Sequence, residues 1–104
     1  MSSTPETKVK RVVTKHLKAM GAYYFYPVTG GYGRSGVPDI IGCHKGNFFG
    51  IECKAGKNKT TPLQDKNLQD IGFAGGIALV INEDNMDNTT ALVWGDSPTS
   101  NRTI

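Results

Sequence analysis

Val37-Pro38-Asp39-Ile40-Ile41-Gly42-Cys43-His44-Lys45-Gly46-Asn47-Phe48-Phe49-Gly50-Ile51-Glu52-Cys53-Lys54 is the stretch that decides how this 104-residue chain folds. Two apolar runs flank Lys45-Gly46, a pair suited to the centre of a two-residue hairpin turn. Such a turn sets the register: His44 faces Asn47, Cys43 faces Phe48 and, continuing down the ladder, Asp39 faces Glu52. Opposed residues have Cβ atoms roughly 4.5–5.5 Å apart, where like charges destabilise a sheet. A fold gains nothing from carboxylates so placed, whereas a divalent cation bridging their oxygens removes the repulsion. Asp39 and Glu52 therefore point to a metal site.

The two runs, residues 37–43 and 47–54, are apolar on both faces apart from Asp39, Glu52 and Lys54, which predicts the central strands of a sheet. Upstream, Ser3 and Thr4 offer an N-cap and Pro5 suits a first turn. Val9, Val12, Val13, Leu17 and Met20 then keep helical spacing, predicting a helix over about 4–20 that Gly21 stops. Lys8, Lys10, Arg11, Lys15 and Lys18 occupy its polar faces, Glu6 sits near its start, and His16 falls within the apolar stripe as a packing residue. No second histidine follows at i+4 to form a zinc pair. Residues 22–26 read as a first strand.

Gly30-Gly31-Tyr32-Gly33-Arg34-Ser35-Gly36 contains G-x-G-x-x-G, but a strand rather than a helix follows it, which argues against a dinucleotide site. Two readings stand for this loop: an ordinary connection, or a segment presenting Tyr32, Arg34 and Ser35 to a phosphate backbone. Residues 55–60 form a basic turn, and Thr61-Pro62-Leu63-Gln64 opens a second helix with a capping box, running to Phe73 with Leu68 and Ile71 inward. Gly75-Gly76 ends it, and Ile77-Ala78-Leu79-Val80-Ile81 is expected as a fully buried strand, parallel to its neighbour because a helical crossover precedes it. An acidic, Asn-rich segment, the apolar run Ala91-Leu92-Val93-Trp94 and a polar tail complete the chain. The expected class is α/β, or α+β by some schemes, in the order αβββαβ. A mixed central sheet is flanked by helices in one domain over residues 1–94, with a polar tail at 95–104.

No apolar run approaches the ~20 residues of a membrane span and no signal segment is evident, so a cytoplasmic protein without membrane contact is expected. Cys43 and Cys53 make no disulfide framework and are expected as buried free thiols. The net charge is +3, but residues 1–66 carry 11 Lys and Arg against 4 Asp and Glu, while residues 67–104 carry 1 against 5. Such a basic region is either a solvated face or a surface for a phosphate-bearing partner.

Mg²⁺ typically binds one or two carboxylates together with substrate phosphate, and it activates water while polarising a phosphoryl oxygen. Phosphodiester hydrolysis on a basic surface is the reaction these residues suit. Lys54 shares a strand face with Glu52, where its ammonium can orient water or offset charge on the phosphate. Cys53 points the other way, and its backbone carbonyl is a further candidate oxygen ligand.

Asp39 followed by Glu52-x-Lys54, in this element order, resembles the PD-(D/E)xK nuclease superfamily with its restriction-endonuclease-like core. Gly36-Val37-Pro38-Asp39-Ile40-Ile41 with Ile51-Glu52-Cys53-Lys54 is similar to its VRR-NUC family in particular, over roughly residues 5–81. The resemblance implies Asp39, Glu52 and the Cys53 carbonyl as metal ligands for Mg²⁺, with Mn²⁺ able to substitute, and Lys54 as the catalytic lysine. Glu6 matches the family's first-helix acid, which touches the metal through water or helps hold the site; complementing the helix dipole is its other reading. Gln64 matches a family glutamine that reaches the lysine or a phosphate, and it also has the capping role. Cys53 departs from the pattern, since a branched aliphatic residue is commoner there. Stand-alone members are viral and bacterial homodimers that cut branched DNA, so a Holliday junction resolvase is implied, acting in a bacterial cell or a virus-infected host cell. Lys8, Arg11, Lys15, Arg34, Ser35, Lys57 and Lys59 are the expected DNA contacts. The alternatives are a non-catalytic DNA-binding or assembly module of the same fold, a nuclease without structural selectivity, and a restriction-type enzyme, for which so short a chain has little room.

Overall fold

Lys45 and Gly46 adopt φ of 52° and 84°, the conformation of a type I′ hairpin turn, in the computed structural model of the chain. The structure describes residues 4–28 and 34–94. From this turn the strands β2 (Ile40–His44) and β3 (Asn47–Cys53) pair antiparallel, with His44 opposite Asn47, Cys43 opposite Phe48 and Ile40 opposite Ile51. The register is the one read from the sequence. Strand β2 begins later than residue 37 because Pro38, which has no N–H to give a ladder, is buried instead against Gly50.

Helix α1 (Pro5–Ala19) is capped by the Thr4 side chain, which accepts from the Thr7 N–H at 3.1 Å. It ends where the Gly21 and Ala22 N–H groups bond the Lys18 and Leu17 carbonyls. Strand β1 (Tyr23–Phe25) then pairs antiparallel with β2. Helix α2 (Pro62–Phe73) carries the full capping box and leads into β4 (Ile77–Ile81), which pairs parallel with β3. The four strands form one mixed sheet in the order β1-β2-β3-β4, with β2 and β3 central. The order αβββαβ is as expected, and a 3₁₀ turn (Met86–Asn88) and the short helix α3 (Thr89–Trp94) extend it. The run Ala91–Trp94 is thus helical.

The core lies between α1, α3 and one sheet face, where Val9, Val13, Leu17, Ile40, Phe49, Ile51, Cys53, Ile81 and Val93 are buried together. Side chains alternate along a strand, so Phe49, Ile51 and Cys53 enter this core while Phe48, Gly50 and Glu52 face α2. His16 is half-buried with its Nδ1 3.4 Å from Thr90 Oγ1, in keeping with a packing role.

Three expectations need correction. Strand β4 is not fully buried: only Ile81 is, and Val80 is 41% exposed, because β4 lies at the sheet edge. On α2, Ile71 does face the sheet, its side chain lying over Gly50, but it and Leu68 are only half-buried and Asn67 is the buried residue; its Nδ2 donates to Leu63 O at 2.9 Å and Ser35 O at 3.0 Å, tying the 34–38 segment to the helix. Cys53 is buried, but Cys43 is only half-buried, on the sheet face that α2 leaves open above β2; both are free thiols. The tail at 95–104 and most of the glycine loop, including Tyr32, lie outside the described residues.

Candidate active site

Asp39 stands immediately before β2, and its Oδ2 accepts from the Cys53 N–H at 2.9 Å. The side chain thereby closes the β2–β3 ladder one step beyond the Ile40–Ile51 pair, on the sheet face that also carries Glu52. Glu52 is only 3% exposed. Its Oε2 accepts from Gln64 Nε2 at 3.0 Å and lies 3.6 Å from Lys54 Nζ. Its Oε1 is buried with no hydrogen-bond partner. An unsatisfied buried acceptor costs about 1–3 kcal/mol, more when charged, so this oxygen needs either a proton or a ligand.

The electrostatics agree with the geometry. Burial, followed by the neighbouring Asp39 carboxylate, pushes the Glu52 pKa from 4.5 up to about 7; Lys54 opposes this and Glu6 adds to it. Burial, then Asp39, pushes the Cys53 thiol up to about 12, so it is no nucleophile at neutral pH. Lys54 is itself held in place, since its N–H donates to Ile81 O at 2.9 Å where β3 meets β4.

Glu6, in the first turn of α1, accepts from Asn58 Nδ2 at 3.3 Å. The two line a cleft of about 550 Å³ with Lys57 and Glu83 among the other walls. The Gly56 N–H donates to both Glu83 oxygens, at 3.0 and 3.3 Å, pinning the loop that follows β3. Asn58 and Glu83 were not foreseen; their partners lie 52 and 27 residues away, and no local spacing marks them.

Asp39, Glu52, Cys53, Lys54 and Gln64 converge, with Glu6 close enough to influence Glu52. Gln64 also caps α2: its Oε1 accepts from the Thr61 N–H at 2.9 Å, so the capping and site readings hold together. Lys57 and Lys59 are exposed on the loop after β3. Arg34 and Ser35 are exposed elsewhere: Arg34 lines a separate cleft of about 540 Å³ with Phe48 and Asp70, toward the C-terminal half of α2. Lys8, Arg11 and Lys15 are exposed on α1, and Lys8 and Lys15 form no ion pair among the described residues.

Among the described residues, no three His, Cys, Asp or Glu side chains cluster as a metal-binding group. Mg²⁺ needs fewer, because water and substrate phosphate complete its octahedron. Two carboxylates, one with an orphaned buried oxygen, fit that requirement. No described helix is long and apolar enough to cross a membrane. The chain matches no model of a known protein family, and no curated protein is significantly similar to it.

Proposed function

We propose that this protein is a metal-dependent DNA endonuclease of the PD-(D/E)xK type, similar to the VRR-NUC family. The observation that carries the reading is the Glu52 Oε1, buried and unpartnered beside a second carboxylate whose charge it repels. A structural acid has no reason to be held this way, whereas a cation ligand has. Asp39, Glu52 and the Cys53 carbonyl would hold Mg²⁺ or Mn²⁺, with Glu6 acting through water. When bound, the cation activates water and polarises the phosphate.

The chain's own groups do the rest. The Cys53 N–H fixes the orientation of Asp39, and Gln64 fixes that of Glu52. Lys54, 12% exposed, places an ammonium beside Glu52 where charge grows on the phosphate during hydrolysis. Lys57 borders the cleft and Lys59 is exposed two residues further along the same loop, where both would meet flanking phosphates. The preferred substrate is proposed as branched DNA, such as a four-way junction, cut by a homodimer in the cytoplasm. Strand β1 supports the dimer: it is a sheet edge with Tyr23 70% and Phe25 46% exposed, and such an edge is open to pairing.

The test is incubation with labelled four-way junction, flap, duplex and single-stranded DNA, in Mg²⁺ or EDTA, beside Lys54→Ala and Asp39→Asn. Symmetric, Mg²⁺-dependent junction cuts absent from both variants are expected, with DNA binding kept by Asp39→Asn. Cleavage of every substrate would leave a general nuclease. No cleavage, with Asp39→Asn losing DNA binding, would leave a binding module.

A further inference from the structure

Four of the five lysines and arginines of α1 lie on its solvent side; the fifth, Lys10, is half-buried with its Nζ 5.7 Å from the Tyr26 ring, and its charge reaches Cys53. At about 100° per residue, Lys8, Arg11, Lys15 and Lys18 fall within an arc of about 80°, and all four are exposed. That arc is opposite the stripe of Val9, Val13 and Leu17 by which α1 packs on the sheet. Glu6, the one acid of α1, falls within the buried stripe, leaving the outer face without a carboxylate of its own. Asp87 shares a groove with Lys15, but no ion pair forms between them, and none is formed by Lys8 or Lys18 among the described residues. The packed side of α1 rests on the Ile51 and Cys53 face, whereas Glu52 and Lys54 look toward α2. Along its axis α1 also leaves the site: Glu6 is beside the cleft, while Ala22 and Tyr23, just past its end, lie at the Cys43 end of β2. From Lys8 to Lys18 the stripe runs about 15 Å.

We infer that this outer face of α1 holds a second duplex segment, distinct from the one whose phosphate lies at Asp39 and Glu52. This rests on the nucleic-acid reading above and extends it to the shape of the substrate. DNA with a persistence length of about 150 bp is a rod on this scale, so a short duplex with its phosphate on the α2 side of the sheet does not also follow the stripe to Lys15 and Lys18 on the solvent side of α1. Two arms diverging from a branch, or two separate duplexes, do. The charge is complementary, and a stripe about 15 Å long faces about four phosphates of one strand at 3.4 Å each.

The test compares the full-length protein with Lys15→Gln/Lys18→Gln, the two positions farthest from the site. Anisotropy is measured with Ca²⁺ in place of Mg²⁺, on a four-way junction with arms of about two turns and on a duplex of about one turn, roughly 10 bp. Glutamine keeps helix propensity at exposed positions, and circular dichroism checks the fold. On the junction, the slope of log K against log salt is expected to shrink by about 2, the loss of two phosphate contacts. On the one-turn duplex it should change by much less than 1. Equal losses on both DNAs would place the stripe on the same duplex as the site, and no loss on the junction would make it a solvated face; either overturns the inference. Failure of the wild type to bind DNA at all would sink it together with the nucleic-acid reading. Junction-specific loss by a protein that never cuts in Mg²⁺ would keep it and sink catalysis alone.

Discussion

The Gln64 side chain donates to Glu52 Oε2 at 3.0 Å while its own Oε1 accepts from the Thr61 N–H at 2.9 Å. One residue thus couples the start of α2 to the buried carboxylate of β3. Gln64→Ala should cost about 1–2 kcal/mol in urea unfolding through loss of the cap and of the bond to Glu52. Thr61→Ala removes the other half of the capping box without touching Glu52, so it should cost about 1 kcal/mol of stability and leave cleavage nearly intact. Equal effects of the two variants on cleavage would show that Gln64 acts only as a cap.

Glu52 predicts a stability profile in the absence of metal. Its pKa is raised on folding from 4.5 to about 7, so the folded state binds this proton more tightly than the unfolded chain. The contribution is complete below about 4.5 and is lost as pH rises through about 7. At 1.36 kcal/mol per pKa unit this amounts to about 3 kcal/mol by order of magnitude. In EDTA the wild type should weaken between pH 5 and 8, and Glu52→Gln should weaken less and exceed it at pH 8. Parallel unfolding profiles would rule out a buried, strained carboxylate.

A cation ligated by the folded protein alone stabilises it by mass action, by about 2.7 kcal/mol at a hundredfold excess over Kd. Mg²⁺ and Mn²⁺ should therefore raise the urea midpoint at pH 8, less so at pH 5.5 where Glu52 is protonated. Asp39→Asn should abolish the response. A midpoint indifferent to both ions at pH 8 would argue against the metal site whatever the activity assays show.

Gly36 holds the segment before Asp39 against α2. It has φ of 78°, and a Cβ there would stand 2.6 Å from the Leu63 carbonyl carbon and oxygen. Neither backbone atom can swing away, so Gly36→Ala should destabilise by about 2–4 kcal/mol. Thermal unfolding within 1 °C of wild type, a shift far smaller than about 1 kcal/mol produces, would contradict this.

The two thiols should separate cleanly. Cys43 is half-buried, while Cys53 is buried with its pKa at about 12. An aromatic disulfide reagent at neutral pH should label Cys43 in the native protein and Cys53 only after unfolding. Rapid labelling of both would mean that the core behind β3 opens easily.

Much of this architecture is local, and local features are legible in a sequence. Thr4 and Pro5 start α1, Thr61 and Gln64 start α2, and the Lys45-Gly46 turn fixes where the hairpin reverses. Because side chains alternate with a period of two, that single turn fixes every partner along β2 and β3, and with them the approach of Asp39 to Glu52. The parallel pairing of β4 followed from the helix that precedes it; its partial exposure did not, because a run of five apolar residues reads alike at a sheet edge and in a centre.

The sequence by itself determined the elements from α1 to β4, the register and the pairing of two acids, since each depends on residues a few positions apart or on a periodicity that one turn sets in phase; the 3₁₀ turn and α3 it left as an apolar run. Tertiary structure alone decided which atoms those acids meet. The Gln64–Glu52 bond, the Asn58–Glu6 bond and the grip of Glu83 on Gly56 join segments 12 to 52 residues apart. It also decided that Asn67 rather than Leu68 is buried, and that Lys8, Arg11, Lys15 and Lys18 of α1 face solvent while Lys10 lies on the packed side. Those outcomes depend on how a helix is rotated when its apolar stripe meets a sheet, and on which distant backbone groups then need partners, a balance of burial against hydrogen bonding that only the packed chain resolves.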